Sequence, residues 1–287
     1  MKSTLTILLT FLVAASLQAQ LELPAKSPKA SVSYRVGLTD VTVNYSSPAV
    51  RGRKIWGDVV PYDKLWRAGA NQATTIEFST DVKIDGKELP KGKYALFLIP
   101  KEGDTWTAIL NTVTDQWGGY NYDQSKDALR FEVQTKTVVQ DEEHLQYTIE
   151  NQGMDRGYIR LAWEKKRIYL PFSADVMKFS LANIENALMT APVDDKWWIH
   201  AEAAEFLAEN DGDLNLALQH ADESATLRVD VWNWWVKARV QAKRGDYKAA
   251  LATAQKLAEL SKTNDEYKYY PEIKAEVEKA MAEWKKM

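Results

Sequence analysis

The chain of 287 residues has no cysteine, only three histidines, and no long apolar run after its opening residues. Without cysteine there is no disulfide, no thiol nucleophile, no thiolate metal ligand and no acylated lipoprotein leader. The scarcity of histidine thins the options for a nucleophile with an adjacent base. His144, in Glu142-Glu143-His144, reads as a solvated strand edge, while His200 and His220 fall in helical segments. There is no Gly-x-Ser-x-Gly elbow and no His-Glu-x-x-His pair. Gly52 and Gly57 have the spacing of a phosphate loop but lack the Lys-Ser/Thr that follows it. Asp211-Gly212-Asp213-Leu214-Asn215 opens like a calcium loop, yet Leu216 stands where that loop needs glycine. No metal or cofactor is expected. Acid/base chemistry by paired carboxylates stays open, because forty acidic side chains always offer pairs.

A strong charge of one sign is also missing. Lys2 precedes an apolar run from Leu5 to Ala15, and small and polar residues close it at Leu17-Gln18-Ala19-Gln20. That layout predicts a secretory signal over 1–19, cleaved after Ala19. The run is shorter than the roughly 20 residues of a spanning helix. Loss of Lys2 leaves 36 basic against 40 acidic side chains. A mildly acidic protein has no overall electrostatic reason to seek nucleic acid or anionic lipid, so any anion site must be local. The expected location is outside the cytoplasm, periplasmic or secreted, with no membrane span after cleavage. A cysteine-free exported protein must stand on its hydrophobic cores alone.

From about Ala30 to Phe172 the apolar pattern has a period of two. Val41, Val43 and Tyr45 share a face; so do Ile76 and Phe78, Val82 and Ile84, and Trp106, Ala108 and Leu110. Leu129, Phe131 and Val133 repeat the pattern, as do Leu145, Tyr147 and Ile149, then Ile159, Leu161 and Trp163. Tyr94 to Ile99 is apolar on both faces, as a central strand is. Asp85-Gly86 predicts a hairpin turn and Pro90-Lys91-Gly92 another turn. About nine short strands predict an antiparallel sandwich or jelly-roll-like domain over 20–173.

After Pro171 the period becomes helical, with helices expected near 175–190, 195–209, 214–227, 231–244 and 247–261, and a last one from Pro271. Gly212-Asp213, Ala217 and Ala221 recur 33 positions later as Gly245-Asp246, Ala250 and Ala254. This pattern resembles tetratricopeptide repeats, although Glu205 stands where that motif wants a small residue. The expected architecture is therefore α+β, a β domain followed by an all-helical, repeat-like domain over 174–287 that docks protein.

The stretch Ser47-Pro48-Ala49-Val50-Arg51-Gly52-Arg53-Lys54-Ile55-Trp56-Gly57, continuing through Val60-Pro61-Tyr62-Asp63-Lys64-Leu65-Trp66-Arg67-Ala68-Gly69-Ala70-Asn71-Gln72-Ala73-Thr74, resembles the bacterial domain-of-unknown-function family numbered 2911. Leu89-Pro90-Lys91-Gly92-Lys93-Tyr94-Ala95-Leu96-Phe97, Trp106-Thr107-Ala108-Ile109-Leu110-Asn111 and Trp117-Gly118-Gly119-Tyr120 agree with it, as does Asp127-Ala128-Leu129-Arg130. The likeness covers roughly 24–172 and implies an exported protein, commonly from Bacteroidetes-type bacteria, with no established activity. At Asp63 the family often has glycine.

The candidate ligand-binding residues lie in two loops. Arg51, Arg53, Lys54, Lys64 and Arg67 outnumber Asp58 and Asp63, with Trp56, Tyr62 and Trp66 between them and Asn71 following. Arginine offers a planar fork to carboxylate or phosphate, and tryptophan a flat face. The same residues also suit an ordered loop whose arginines serve its own carbonyls and whose tryptophans plug the core. The second loop, Asp115 to Asp127, carries Trp117, Tyr120, Tyr122 and Asp123, a mixture found in carbohydrate sites and in caps over sheets. Asp127 and Arg130 are expected to pair. Three functions follow: a binding module for a small anionic or carbohydrate ligand, a carboxylate-based hydrolase or isomerase, or an envelope scaffold acting through its helices. In the tail, Trp197, Trp198, Trp232, Trp234 and Trp235 point in different directions, some toward a core.

Overall fold

The computed structural model describes residues 23–263 and 270–287, so the expected signal segment and its cleavage point lie outside the described residues. Nine strands are followed by six helices among the described residues. The strands are β1 (Lys29–Val36), β2 (Thr39–Ser46), β3 (Thr74–Phe78), β4 (Val82–Ile84), β5 (Lys87–Leu89), β6 (Gly92–Ile99), β7 (Thr105–Asn111), β8 (Asp127–Asn151) and β9 (Arg156–Ser173). Their order is β1-β2-β3-β6-β7-β8-β9-β4-β5, with every pairing antiparallel.

The expectation of short strands fails for the last two. Leu129–Val133 and Leu145–Ile149 belong to one strand of 25 residues, and β9 has 18. The first part of β8, to Gln134, pairs with β7; from Thr135 onward it pairs with β9. Register shifts between Thr137 and Glu142, and between Glu142 and Gln146, bend the ribbon there. Such irregularities kink a long strand within its pairing with β9, whereas the change of partner itself falls at Gln134 and Thr135.

The alternation read from the sequence is the alternation of burial. Val41, Ile76, Leu96, Trp106, Phe131, Leu145 and Leu161 all enter one core. Asp85 and Gly86 both have positive φ, 52° and 71°, the combination a two-residue hairpin with primed-turn twist requires. Strand β6 is buried on both faces, but no second sheet covers its outer side. Tyr94, Leu96 and Leu98 join the main core, whereas Ala95 and Phe97 form a smaller core with Ala73 and Ile109, packed by Leu65, Ile99 and Tyr122. The loop between β7 and β8 therefore acts as the lid of a second core.

The helices are α1 (Val176–Thr190), α2 (Lys196–Glu209), α3 (Leu214–Leu227), α4 (Val231–Lys243), α5 (Tyr247–Thr263) and α6 (Tyr270–Trp284). Aspartates cap three of them: Asp175, Asp213 and Asp230 accept from backbone N–H groups of the first turn. The residues that suggested a calcium loop thus end one helix and cap the next. Ala217, Ala221, Ala250 and Ala254 are all fully buried. Small side chains at those positions let neighbouring helices approach closely. Glu205 meets Arg239 of α4, which also contacts Glu209 at 3.1 Å, so a charge pair fills the place of the small residue. Trp197, Trp198 and Trp232 cluster at one end, with Trp198 and Trp232 ring centres 4.2 Å apart, while Trp235 packs near Trp284. No helix among the described residues is long and apolar enough to cross a membrane.

Candidate functional site

The loop between β2 and β3 crosses one end of the sheets and is tied down along its length. Val50 N–H donates to the carbonyl of Glu143, and Leu145 N–H to that of Pro48, so β8 holds the start of the loop. Trp66 exchanges backbone hydrogen bonds with Leu98, both 2.8 Å. Four non-glycine residues of the loop, Arg51, Asp63, Ala68 and Asn71, have left-handed backbone, with φ between 52° and 58°. That region costs energy for most side chains, and only surrounding structure keeps residues such as alanine there. At Asp63 it is a conformation that glycine would accept freely.

Beneath the loop the indoles of Trp56, Trp66, Trp106 and Trp163 meet. Trp66 and Trp163 are stacked with ring centres 6.0 Å apart, and Trp56 stands edge-on to both. Trp66 donates from its indole nitrogen to the carbonyl of Gly69 at 3.1 Å. The indole N–H groups of Trp56 and Trp163 are buried and have no partner among the described residues.

Above this cluster opens a cleft of about 290 Å³, lined by Arg51, Arg53, Arg67 and Lys26 together with Trp66 and Trp163. No acidic side chain lines it, and none of the four cations takes part in an ion pair among the described residues. Two of the arginines are partly engaged with the fold. Arg53 donates to the carbonyls of Val50 and Ala49 at 3.0 and 2.6 Å, and Arg51 to that of Lys26 at 3.0 Å. Carbonyls satisfy N–H groups but carry no net charge, so the positive charge of the cleft persists. Arg67 differs: its buried Nε–H has no partner among the described residues. Burial pulls its pKa below the ordinary arginine value, with the nearby Tyr120 opposing that shift.

Of the nine candidate residues, Arg51, Arg53, Trp66 and Arg67 share this cleft. Asn71 is a tether: its side-chain amide donates to the carbonyl of Ser27 and to Ser46 Oγ, and its carbonyl accepts from Gly118 N–H. Tyr62 is half-buried, its ring against Gly57, where a Cβ would lie 2.8 Å away.

The second loop lies beside the first, which no local pattern in the sequence could reveal. Gln72 pairs with Trp117, and Ala73 N–H donates to the carbonyl of Gln116. Trp117 and Tyr120 are 63% and 88% exposed. Tyr122 instead turns inward. Its hydroxyl donates to Asp127 at 2.7 Å and accepts from Arg130 at 2.8 Å, and burial with Asp127 pushes its pKa up to about 12. Asp127 and Arg130 form the expected ion pair, 3.1 Å apart. Buried Asn111 completes that network through the carbonyl of Asp123 and through Asp127.

Sequence reasoning missed Lys26 and Trp163 as lining residues. Lys26 precedes the first strand, and Trp163 reads simply as one more inward position of β9; no signal in the sequence separates it from the rest of the core. Of the two hollows beside the candidate loops, this cleft has no carboxylate in its lining and the larger one on the outer face has Asp115 alone.

No curated protein and no solved structure matches the chain. The sequence model of one family matches residues 27–172, just over half of the chain and every strand short of the last residue of β9. The indole floor, both loops and every named residue of the cleft but Lys26 fall inside that match, and the chain belongs to the family described as "Protein of unknown function (DUF2911)".

Proposed function

We propose that the protein is a binding module for a small anionic ligand, taken up in the cleft formed by Lys26, Arg51, Arg53 and Arg67. The observation that carries this reading is Arg67, whose buried Nε–H lacks a partner in a cleft with no acidic lining. A buried donor left unpaired costs on the order of 1–3 kcal/mol, more for a charged group. An arriving carboxylate or phosphate removes that cost and gains charge-assisted bonds. The fold supports the reading in a second way, since strained backbone at Arg51, Ala68 and Asn71 fixes the loop before a ligand arrives.

The test is a thermal-shift titration of the full chain with inorganic phosphate, a sugar acid and a short peptide carboxylate. A ligand that binds only the folded state adds about 2.7 kcal/mol at 100 times its dissociation constant. The expected result is a saturable shift that Arg67→Ala removes while the far-ultraviolet spectrum is unchanged. The absence of a shift with all three probes, or a shift that survives Arg67→Ala, would refute the reading.

We further propose that the protein is exported, periplasmic or secreted, on the strength of the leader pattern over 1–19. The helical region is proposed to be tetratricopeptide-like and to dock a protein. The support is the 33-residue recurrence and the burial of Ala217, Ala221, Ala250 and Ala254 at its helix contacts. A co-purifying protein lost on deletion of 175–287, yet retained in Arg67→Ala, would support that second site.

A further inference from the structure

A larger hollow lies on the outer face of the sheet, separate from the arginine cleft. It is an open trough of about 600 Å³ across β1, β2 and β3, walled on one side by Thr114 and Asp115 of the β7–β8 loop. That volume falls in the range of small-molecule sites and exceeds what a single ion needs. Its chemistry also differs from that of the cleft. Two lysines, Lys29 and Lys93, face one carboxylate, Asp115, so the charges nearly balance. Between them stand Asn44, Gln72 and Thr75. None of these three side chains makes a hydrogen bond to another described residue, so their amide and hydroxyl groups present donors and acceptors side by side. Adjacent hydroxyls of a sugar offer the same alternation.

Beside the trough, paired with Gln72 and two residues from Asp115, stands an aromatic that packing does not explain. Trp117 is 63% exposed, and yet its backbone is fixed. It pairs antiparallel with Gln72, Ala73 N–H donates to Gln116, and Gly118 N–H donates to Asn71. Residues opposite each other in an antiparallel pair project from the same face. Gln72 and Ala73 both line the trough, and Trp117, next to that lining rather than part of it, projects from the same face as its partner Gln72. A rigidly held indole supplies a large contact area at low entropic cost. The C–H face of a pyranose ring is the natural partner of its electron-rich face. The next aromatic, Tyr120, is parked on Gly118, which has φ +70° and whose added Cβ would lie 2.8 Å from the ring.

We propose that this trough binds a neutral oligosaccharide, with Trp117 as the stacking platform and Asn44, Gln72 and Thr75 as hydroxyl partners. The site is independent of the anion cleft, and neither proposal rests on the other.

The experiment is a calorimetric titration of the full chain with cellohexaose, maltohexaose and chitohexaose, repeated on Trp117→Ala, on Asn44→Ala/Gln72→Ala and on Arg67→Ala. The expected result is saturable binding of at least one hexaose, weakened about tenfold or more by the first two variants and unchanged by the third. Trp117 is exposed, and unchanged melting temperatures verify that the variants remain folded. Failure of all three sugars to bind at millimolar concentration overturns the proposal, as does binding that persists in Trp117→Ala and in the double variant. Binding lost only in Arg67→Ala overturns it too, by locating the sugar in the arginine cleft.

Discussion

The hydroxyl of Tyr147, near the C-terminal end of the long strand β8, donates a 2.7 Å hydrogen bond to the carbonyl of Ala68, a fully buried alanine in left-handed backbone. Thr74 Oγ1 donates to the same carbonyl at 2.9 Å. Two side chains from different strands therefore hold the Ala68–Gly69 peptide, one residue beyond Arg67, and the sheet sets the position of the cleft through them. Burial raises the phenol's pKa well above its ordinary value, so Tyr147 stays a donor at any physiological pH.

Tyr147→Phe removes one of those two bonds and nothing else of size. Stability is expected to fall by about 1 kcal/mol, the net worth of such a bond. Urea unfolding measures it. Because Ala68 then has more freedom, the phosphate response of the cleft should weaken in parallel; an unchanged response would mean that this contact does not position Arg67.

Arg67→Met removes a half-buried cation that has no partner among the described residues, and keeps most of its apolar stem. Unfolding stability is expected to be unchanged or slightly higher, while the anion response is lost, the pattern of a residue kept for function. A marked loss of stability would show that Arg67 serves the fold instead.

Asp63→Gly relieves a side chain held at φ 57°. Stability should be unchanged or rise by up to about 1 kcal/mol, since glycine accepts that conformation freely but loses more chain entropy. Asp63→Val should cost on the order of 1–2 kcal/mol, because a branched Cβ crowds the left-handed region. Equal stabilities for the two variants would rule out the strained turn as the cause.

His200 Nδ1 and His220 Nδ1 lie 2.8 Å apart between α2 and α3, so one ring donates and the other accepts. Burial lowers both pKa values, the charge of His200 adds to the effect on His220, and Glu223 opposes it at both; Lys196 reinforces it at His200. Between the ordinary value of about 6.5 and the lowered folded values, the unfolded chain takes protons that the folded chain refuses. The stability linked to this pair is therefore full above that ordinary value and is lost as pH falls below it. Thermal melts at about pH 7.5 and 5.5 should show a smaller pH-dependent drop for His220→Gln than for the parent chain. An equal drop would assign the acid sensitivity to carboxylates elsewhere.

Much of this was readable before any coordinates. Alternation of apolar residues marked inward positions from Val41 to Trp163, because a strand's side chains must take opposite faces and only one face meets the core. The helix ends were legible through Asp175, Asp213 and Asp230, since the first N–H groups of a helix need an acceptor within a residue or two. The family likeness rested on the same local runs. The absence of cysteine excluded thiol chemistry. What the sequence left open was whatever depends on residues distant along the chain. That β8 is one strand serving two sheets is decided by its partners, β7 and β9, not by its own pattern. That Arg67 lacks a partner while Arg53 has two, that Trp163 floors the cleft, and that Trp117 rises beside Gln72 are all consequences of packing. Periodicity records which side of an element is apolar; it carries no record of which element will face it, and a binding site is made of such meetings.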